Sequence, residues 1–170
     1  MEVTIRPATR DDVHPLSELA QRTWAEAFGG DVAAADVAVE VERTRSEEYF
    51  RTALHERTIL VAEAGGVLVG YVQFGNVEIA EVDVRPGDQG LQRLYVDRAF
   101  QGRGLGRRLL EAALVHPRLA VARRVYLTVW EENEPALRLY RSAGFTPVGT
   151  TAFRIGDGPL VEDLVLVLER

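Results

Sequence analysis

The chain has 170 residues and a net charge of −6, with 46% hydrophobic and 27% charged residues. Those are the proportions of a folded chain long enough to bury a core without staples. With no cysteine, disulfide frameworks, thiolate metal sites and a cysteine nucleophile are excluded. His14, His55 and His116 are too scattered for a metal cage, so no metal is expected. The acidic balance disfavours a broad nucleic-acid-binding face. Every basic residue is arginine, which leaves no lysine for Schiff-base or P-loop chemistry. No apolar run approaches the roughly 18 residues of a membrane span, and the opening stretch reads as neither a secretory signal nor a transit peptide. The expectation is a cytoplasmic chain with no membrane or nucleic-acid partner.

In chain order, Val3 to Arg6 alternates weakly and ends at Pro7, a short first strand. Val13, Leu16, Leu19, Ala20, Thr23 and Trp24 have helical spacing, and Gly29-Gly30 stops that helix. Residues 31–42 are ambiguous between helix and loop. Ser46 caps a second helix that runs to about His55. Thr58–Ala64 and Val67–Phe74 flank Gly65-Gly66 and read as a hairpin. Val77–Val84 alternates like a strand, Pro86-Gly87-Asp88 is a turn, and Leu91–Val96 is a further strand. A Gly/Arg loop at 101–106 leads into an amphipathic helix that ends before Pro117. Val125–Trp130 is a strand, and Asn133 caps a short helix stopped by Gly144. Phe145–Ile155 and Leu160–Leu168 close the chain around the turn Gly156–Pro159. This order predicts one α/β (α+β) domain over residues 1–170. Its sheet is central, mixed and mostly antiparallel, with about seven strands, about four helices and one parallel crossover.

The stretch from Leu94 through Gln101, Gly104 and Gly106 to Leu110 carries the most chemistry. A strand runs into three glycines at alternate positions and then into a helix. Glycine costs stability in either element, so its use here is close backbone approach. N–H groups converge at the helix start, the dipole adds positive charge, and Arg103, Arg107 and Arg108 stand beside it. That is a site for phosphate or pyrophosphate. A P-loop would need Gly-Lys-Ser/Thr, and a Rossmann fingerprint would need Gly-x-Gly-x-x-Gly after the first strand; neither is present. A tight strand–helix turn without a ligand is the plain alternative.

Gln101-x-x-Gly104-x-Gly106 resembles the pyrophosphate signature of the GNAT superfamily of N-acetyltransferases. Asn133, Tyr140 seven residues on, and Gly144-Phe145 resemble that superfamily's second motif. The likeness covers about residues 91–150 directly and the rest by element order. A narrower likeness lies in Thr23-Trp24-Ala25-Glu26-Ala27-Phe28-Gly29 and in the tail from Phe153 to Asp163-Leu164. Both are similar to bacterial spermine/spermidine N-acetyltransferases of the PaiA type, which have Phe and Thr where this chain has Trp24 and Ala27.

The resemblance implies a GNAT-like fold with a V-shaped splay between the two central parallel strands. It implies acetyl-CoA as cosubstrate, its pyrophosphate on Gln101, Gly102, Arg103, Gly104, Leu105, Gly106 and Arg107. The pantetheine arm would pair with the backbone of Leu94, Tyr95 and Val96, and Asn133 and Tyr140 would also reach the coenzyme. Tyr140 is the candidate general acid for the leaving thiolate, and ordinary helix packing is its plain alternative. Asn133 has the N-cap as its alternative. The candidate base is Glu81, chosen over Glu78 and Asp83 on the same segment. Trp24, Glu26 and Tyr49 are candidates for holding an ammonium, with core packing the alternative for Trp24. The expected reaction is direct transfer of an acetyl group to the primary amine of a small molecule, a polyamine favoured. A non-catalytic acetyl-CoA sensor, or acetylation of a peptide or amino-acid amine, are the alternatives. A homodimer is a family-level expectation.

Overall fold

A computed structural model describes residues 2–28, 30 and 32–170. The elements are β1 (Val3–Pro7), α1 (Val13–Phe28), α2 (Ala34–Arg45), α3 (Glu47–Glu56), β2 (Thr58–Ala64) and β3 (Val67–Gly75). They continue as β4 (Asp88–Val96), α4 (Leu105–Val115), α5 (Pro117–Ala120), β5 (Arg124–Trp130), α6 (Glu134–Ser142), β6 (Thr146–Phe153) and β7 (Val161–Glu169). The seven strands form one sheet in the order β1-β2-β3-β4-β5-β7-β6. Every neighbouring pair is antiparallel except β4 and β5. That is the mixed, mostly antiparallel sheet the sequence predicts.

Alternation along the strands sends apolar side chains to two opposite layers. One layer joins Val72, Phe74, Leu91, Leu127 and Leu166 to Leu105, Leu109, Leu110 and Leu137 of α4 and α6. The other joins Ile59, Val61, Leu68 and Tyr71 to Leu16, Leu19 and Phe50 of α1 and α3. Ser46 caps α3 through its side chain, which accepts from the Tyr49 N–H at 3.1 Å. Among the described residues no helix is long and apolar enough to cross a membrane.

Several expectations change. The ambiguous 31–42 stretch contains most of α2, and Pro117 both ends α4 and opens the short α5, so the described residues form six α-helices where about four were expected. Gly29, expected to stop the first helix, lies outside the described residues, and α1 ends at Phe28. Val77–Val84 is not a strand. β3 and β4 pair directly, which leaves that segment no ladder to join. Its alternating apolar residues instead plug the sheet from outside: Val77, Ile79 and Val82 pack on Tyr126, Val165 and Val167. This loop crosses Gly90 so closely that an added Cβ would meet the Asn76 carbonyl oxygen at 2.9 Å. β4 begins at Asp88 rather than Leu91.

The parallel ladder between β4 and β5 is short. Asp88, Gln89 and Gly90 register with Arg124, Val125 and Tyr126, and there the pairing ends. Past that point β4 follows β3 and β5 follows β7. A register shift opposite Gln73 and Phe74 puts an extra residue into β4, and such a bulge bends the strand that carries it. At the closed end the register partners Asp88 and Arg124 form a two-pronged ion pair, Nη2 to Oδ2 at 2.6 Å and Nε to Oδ1 at 3.0 Å. The Asp88 side chain is only 1% exposed. Burial alone would raise its carboxyl; the bonds from Arg124 and from the Arg85 N–H outweigh it and hold the group below the usual carboxylate range.

Asp88→Ala is expected to cost about 3 kcal/mol of unfolding free energy, because it strands Arg124 at the closed end of the splay. Urea titration followed by circular dichroism measures it. The native stability itself is expected to fall as pH drops through the carboxylate range, since the depressed Asp88 favours the folded state only while ionised.

Candidate active site

Beyond Gly90 and Tyr126 the facing edges of β4 and β5 have no strand between them. Their backbone donors and acceptors need some other partner. A cavity of about 620 Å³ opens at this divergence. Its wall takes Leu91–Tyr95 from β4, Thr128–Trp130 from β5, Ala136 and Tyr140 from α6, and Asn133 just ahead of that helix. Trp24, Arg45 and residues 78–81 close it from the opposite face of the sheet. The cavity therefore passes through the sheet, joining its two faces.

On the α4 side, Gly104 is the N-cap with φ 76°, and Gly102 has φ 71°, values that favour glycine. A Cβ at either would meet nothing within 4 Å, so their backbone is open to a ligand. The first helical bond is Arg108 N–H to the Gly104 carbonyl at 3.1 Å, and the N–H groups of Leu105, Gly106 and Arg107 ahead of it have no partner among the described residues. Gly106 sits where three elements meet: its added Cβ would lie 3.6 Å from Leu139, 3.8 Å from Leu94 and 4.0 Å from Val96. The helix start, the open edge of β4 and α6 are thus fixed to one another. Gln101 is exposed, and its side-chain amide donates to the Val96 carbonyl at 3.0 Å, tying the turn to the end of β4. Arg103 lies over the Phe100 ring at 5.8 Å.

Tyr140 is 6% exposed and packs edge-on against Phe145 with centroids 5.8 Å apart. Burial, and secondarily the neighbouring Tyr95, push its hydroxyl above the usual tyrosine range, so it is protonated at neutral pH. Asn133 caps α6, its Oδ1 accepting from the Ala136 N–H at 3.2 Å, and also lines the cavity.

The acetyltransferase (GNAT) family matches residues 16–145. The chain belongs to that family. It is an acetyl-CoA-dependent N-acetyltransferase. It is 35% identical over 147 residues to the N-alpha-acetyltransferase RimI of Mycobacterium tuberculosis, 86% of this chain and 80% of the relative. It is 35% identical over 100 residues to the spermine/spermidine N(1)-acetyltransferase of Bacillus subtilis, 58% of this chain and 65% of the relative. The fold is that of the PaiA N-acetyltransferase of Thermoplasma acidophilum, solved with coenzyme A, at TM-score 0.78, 19% identity and full coverage of both chains.

In this acetyltransferase the cavity gathers Trp24, Glu81, Leu94, Tyr95, Asn133 and Tyr140. Two residues expected to hold an ammonium stand apart from its wall. Glu26 is on the exposed side of α1, because the helix turns its buried stripe through Thr23 and Trp24. Tyr49 is committed elsewhere: its hydroxyl accepts from Arg57 Nη1 at 2.8 Å and Gln73 Nε2 at 2.9 Å. Its ring lies under Arg93, 4.4 Å from the guanidinium. Trp24 is buried, and Arg45 already covers its ring at 4.8 Å. Glu81 lies exposed on the 76–87 loop.

The sequence reading missed Asp163 as a site residue. It lies on β7 opposite Trp130 and diagonal to Thr128, facing the cavity. Its Oδ1 is buried without a partner among the described residues. Burial pushes its carboxyl up to about 6, with Thr128 pulling only weakly the other way. In sequence it is one acid in an alternating strand, and only the register with β5 reveals its place.

A carboxyl whose folded value lies above its unfolded one stabilises the protonated fold, and that stability is lost as pH rises from about 4 through about 6. Asp163→Asn is therefore expected to raise the melting temperature at pH 7.5 and to leave it nearly unchanged at pH 4. Scanning calorimetry at the two pH values checks this.

Proposed function

We propose that the chain transfers the acetyl group of acetyl-CoA to a primary amine in one ternary complex, with Tyr140 as the general acid. The observation that carries this is the buried, protonated Tyr140 hydroxyl on the wall of a cavity that opens at the β4–β5 divergence. The N–H groups of Leu105, Gly106 and Arg107 take the pyrophosphate, with Arg103 and Arg107 adding charge. The open edge of β4 at Leu94, Tyr95 and Val96 pairs with the amides of the pantetheine arm, a ligand standing in for a strand. Acetyl-CoA supplies a thioester carbonyl, and backbone N–H groups of the same edge stabilise the charge that develops on its oxygen. Without cysteine, and with no serine in a nucleophile setting, the chain offers no acyl carrier.

The acceptor ammonium must lose a proton before its nitrogen attacks. Glu40 and Glu78 are held by Arg43 and Arg57 at 2.8 and 2.6 Å, which leaves Glu81 and Asp163 as the cavity carboxylates without an arginine partner among the described residues. Asp163, poised near 6 and set into the sheet, is the better base; Glu81 serves at the exposed rim. As the C–N bond forms and the C–S bond breaks, Tyr140 gives its proton to the departing sulfur, and the second proton shed by the new amide nitrogen restores it. The burial that raises Tyr140 also raises the proton affinity of a thiolate beside it, so donor and acceptor shift together. The net products are the N-acetyl amine, coenzyme A and one proton.

A polyamine acceptor draws its support from the Bacillus subtilis relative named for spermine and spermidine, and an N-terminal α-amine from the RimI relative, whose match covers more of this chain.

Tyr140→Phe is expected to lower kcat by about 10²–10⁴-fold while acetyl-CoA affinity changes little. Thiol release against a panel of amines reads the first, and calorimetric titration reads the second. Equal turnover in the two proteins sinks the general-acid role.

A further inference from the structure

The cavity is charged on both sides, and the charges are not matched in pairs. Glu40 takes two bonds from Arg43 Nη2, at 2.8 and 3.0 Å, and lies 3.8 Å from Arg45. Arg45 has only that long ion-pair contact, to a carboxylate already engaged by Arg43. Its side chain is 7% exposed, its Nη1 donates to the neighbouring Thr44 hydroxyl, and its Nε is buried without a partner among the described residues. A buried guanidinium is costly unless it is both paired and hydrogen-bonded, and its fork is shaped for a carboxylate or phosphate.

Arg93 stands in the same place. Its Nη1 donates to the Thr44 carbonyl at 2.7 Å, and no carboxylate pairs with it among the described residues. Near the two guanidiniums the buried hydroxyl of Tyr71 lacks a hydrogen-bond partner among the described residues; burial raises it, and the positive charge of Arg93 and Arg45 pulls the other way. Arg45 and Arg93 both line the cavity that also holds Asp163.

We infer that the acceptor amine carries an anionic group, a carboxylate or phosphate, which Arg45 and Arg93 bind while its amino group faces Asp163. The inference rests on the acetyl-transfer reading of this cavity and adds the acceptor's charge to it. It runs against a polycation. A polyamine would set further positive charge beside two guanidiniums, one with only a long carboxylate contact and the other with none among the described residues, and the Trp24 face that could receive an ammonium is already covered by Arg45. A small zwitterion matches both poles.

The test is steady-state thiol release by the full chain with acetyl-CoA. The panel holds the α-amino acids, β-alanine and O-phosphoethanolamine, the matched carboxamides, and spermidine. The expected result is an acid whose kcat/KM exceeds that of its own amide about tenfold or more. The better of the carboxylate and phosphate arms identifies the anion. Arg45→Met and, separately, Arg93→Met are expected to raise KM for that acid about tenfold and to bring the acid-to-amide ratio towards one. Each variant is first shown by circular dichroism to be folded and by titration to bind acetyl-CoA; if one fails, the other and the native panel still decide. Acid and amide turned over alike, or spermidine as the best acceptor, overturns the inference and leaves acetyl transfer standing. Thiol release that no amine of the panel raises above the amine-free rate overturns both.

Discussion

Everything the site does depends on a parallel ladder that stops after three residues. Asp88, Gln89 and Gly90 hold β5, and the next residues of the two strands go their separate ways. Two features keep the divergence in place. The extra residue in β4 bends that strand, and the loop of residues 76–87 lies across Gly90 and fills the adjoining face of β5 with Val77, Ile79 and Val82. At the closed end, Asp88 and Arg124 are joined across the two strands by a buried two-pronged ion pair. Removing water from that pair makes it costly to break one partner at a time, so it anchors the apex while the arms above stay open. The open arms expose a row of backbone groups in the middle of a sheet, an arrangement that a soluble fold keeps only where something else pairs with them.

The glycine-rich turn and the splay lie at the two ends of one path. Gly106 brings α4, the β4 edge and Leu139 of α6 within van der Waals reach of one point. A group anchored at the helix start therefore has a fixed path along the strand edge, and Tyr140, one residue after Leu139, lies on the same helix that borders the path. Gln101 secures the geometry through the Val96 carbonyl, a positioning role for a side chain that motif reasoning places on the ligand.

The parts legible in the sequence were those with a local signal. Gly102, Gly104 and Gly106 announce a turn that needs open backbone, and Asn133 with Tyr140 marks a capped helix at the distance the family motif demands. The hairpin around Gly65-Gly66 reads directly from β-rich runs on either side. What was illegible depends on tertiary register. Val77, Ile79 and Val82 alternate as a strand would, yet the alternation comes from a loop pressing one side against the sheet. Asp163 differs from Glu162 only in which face the register with Trp130 gives it. Arg45 is one of twenty basic residues, and nothing local distinguishes a guanidinium that will be buried.

The distribution of unsatisfied polar atoms argues that the sheet's outer layer has been shaped by function rather than by stability. Among the described residues four buried side-chain atoms lack partners: Arg45 Nε, Tyr71 Oη, Gln73 Oε1 and Asp163 Oδ1. Each costs about 1–3 kcal/mol when stranded. Arg45 and Asp163 line the cavity, Tyr71 stacks on Tyr95 of its wall with centroids 5.8 Å apart, and Gln73 donates to Gln92 of its wall at 2.9 Å. A chain that could replace these groups with apolar ones of similar shape would gain stability by doing so. Their concentration around one opening is what a site looks like when its polar groups are held ready for a partner that brings the missing hydrogen bonds.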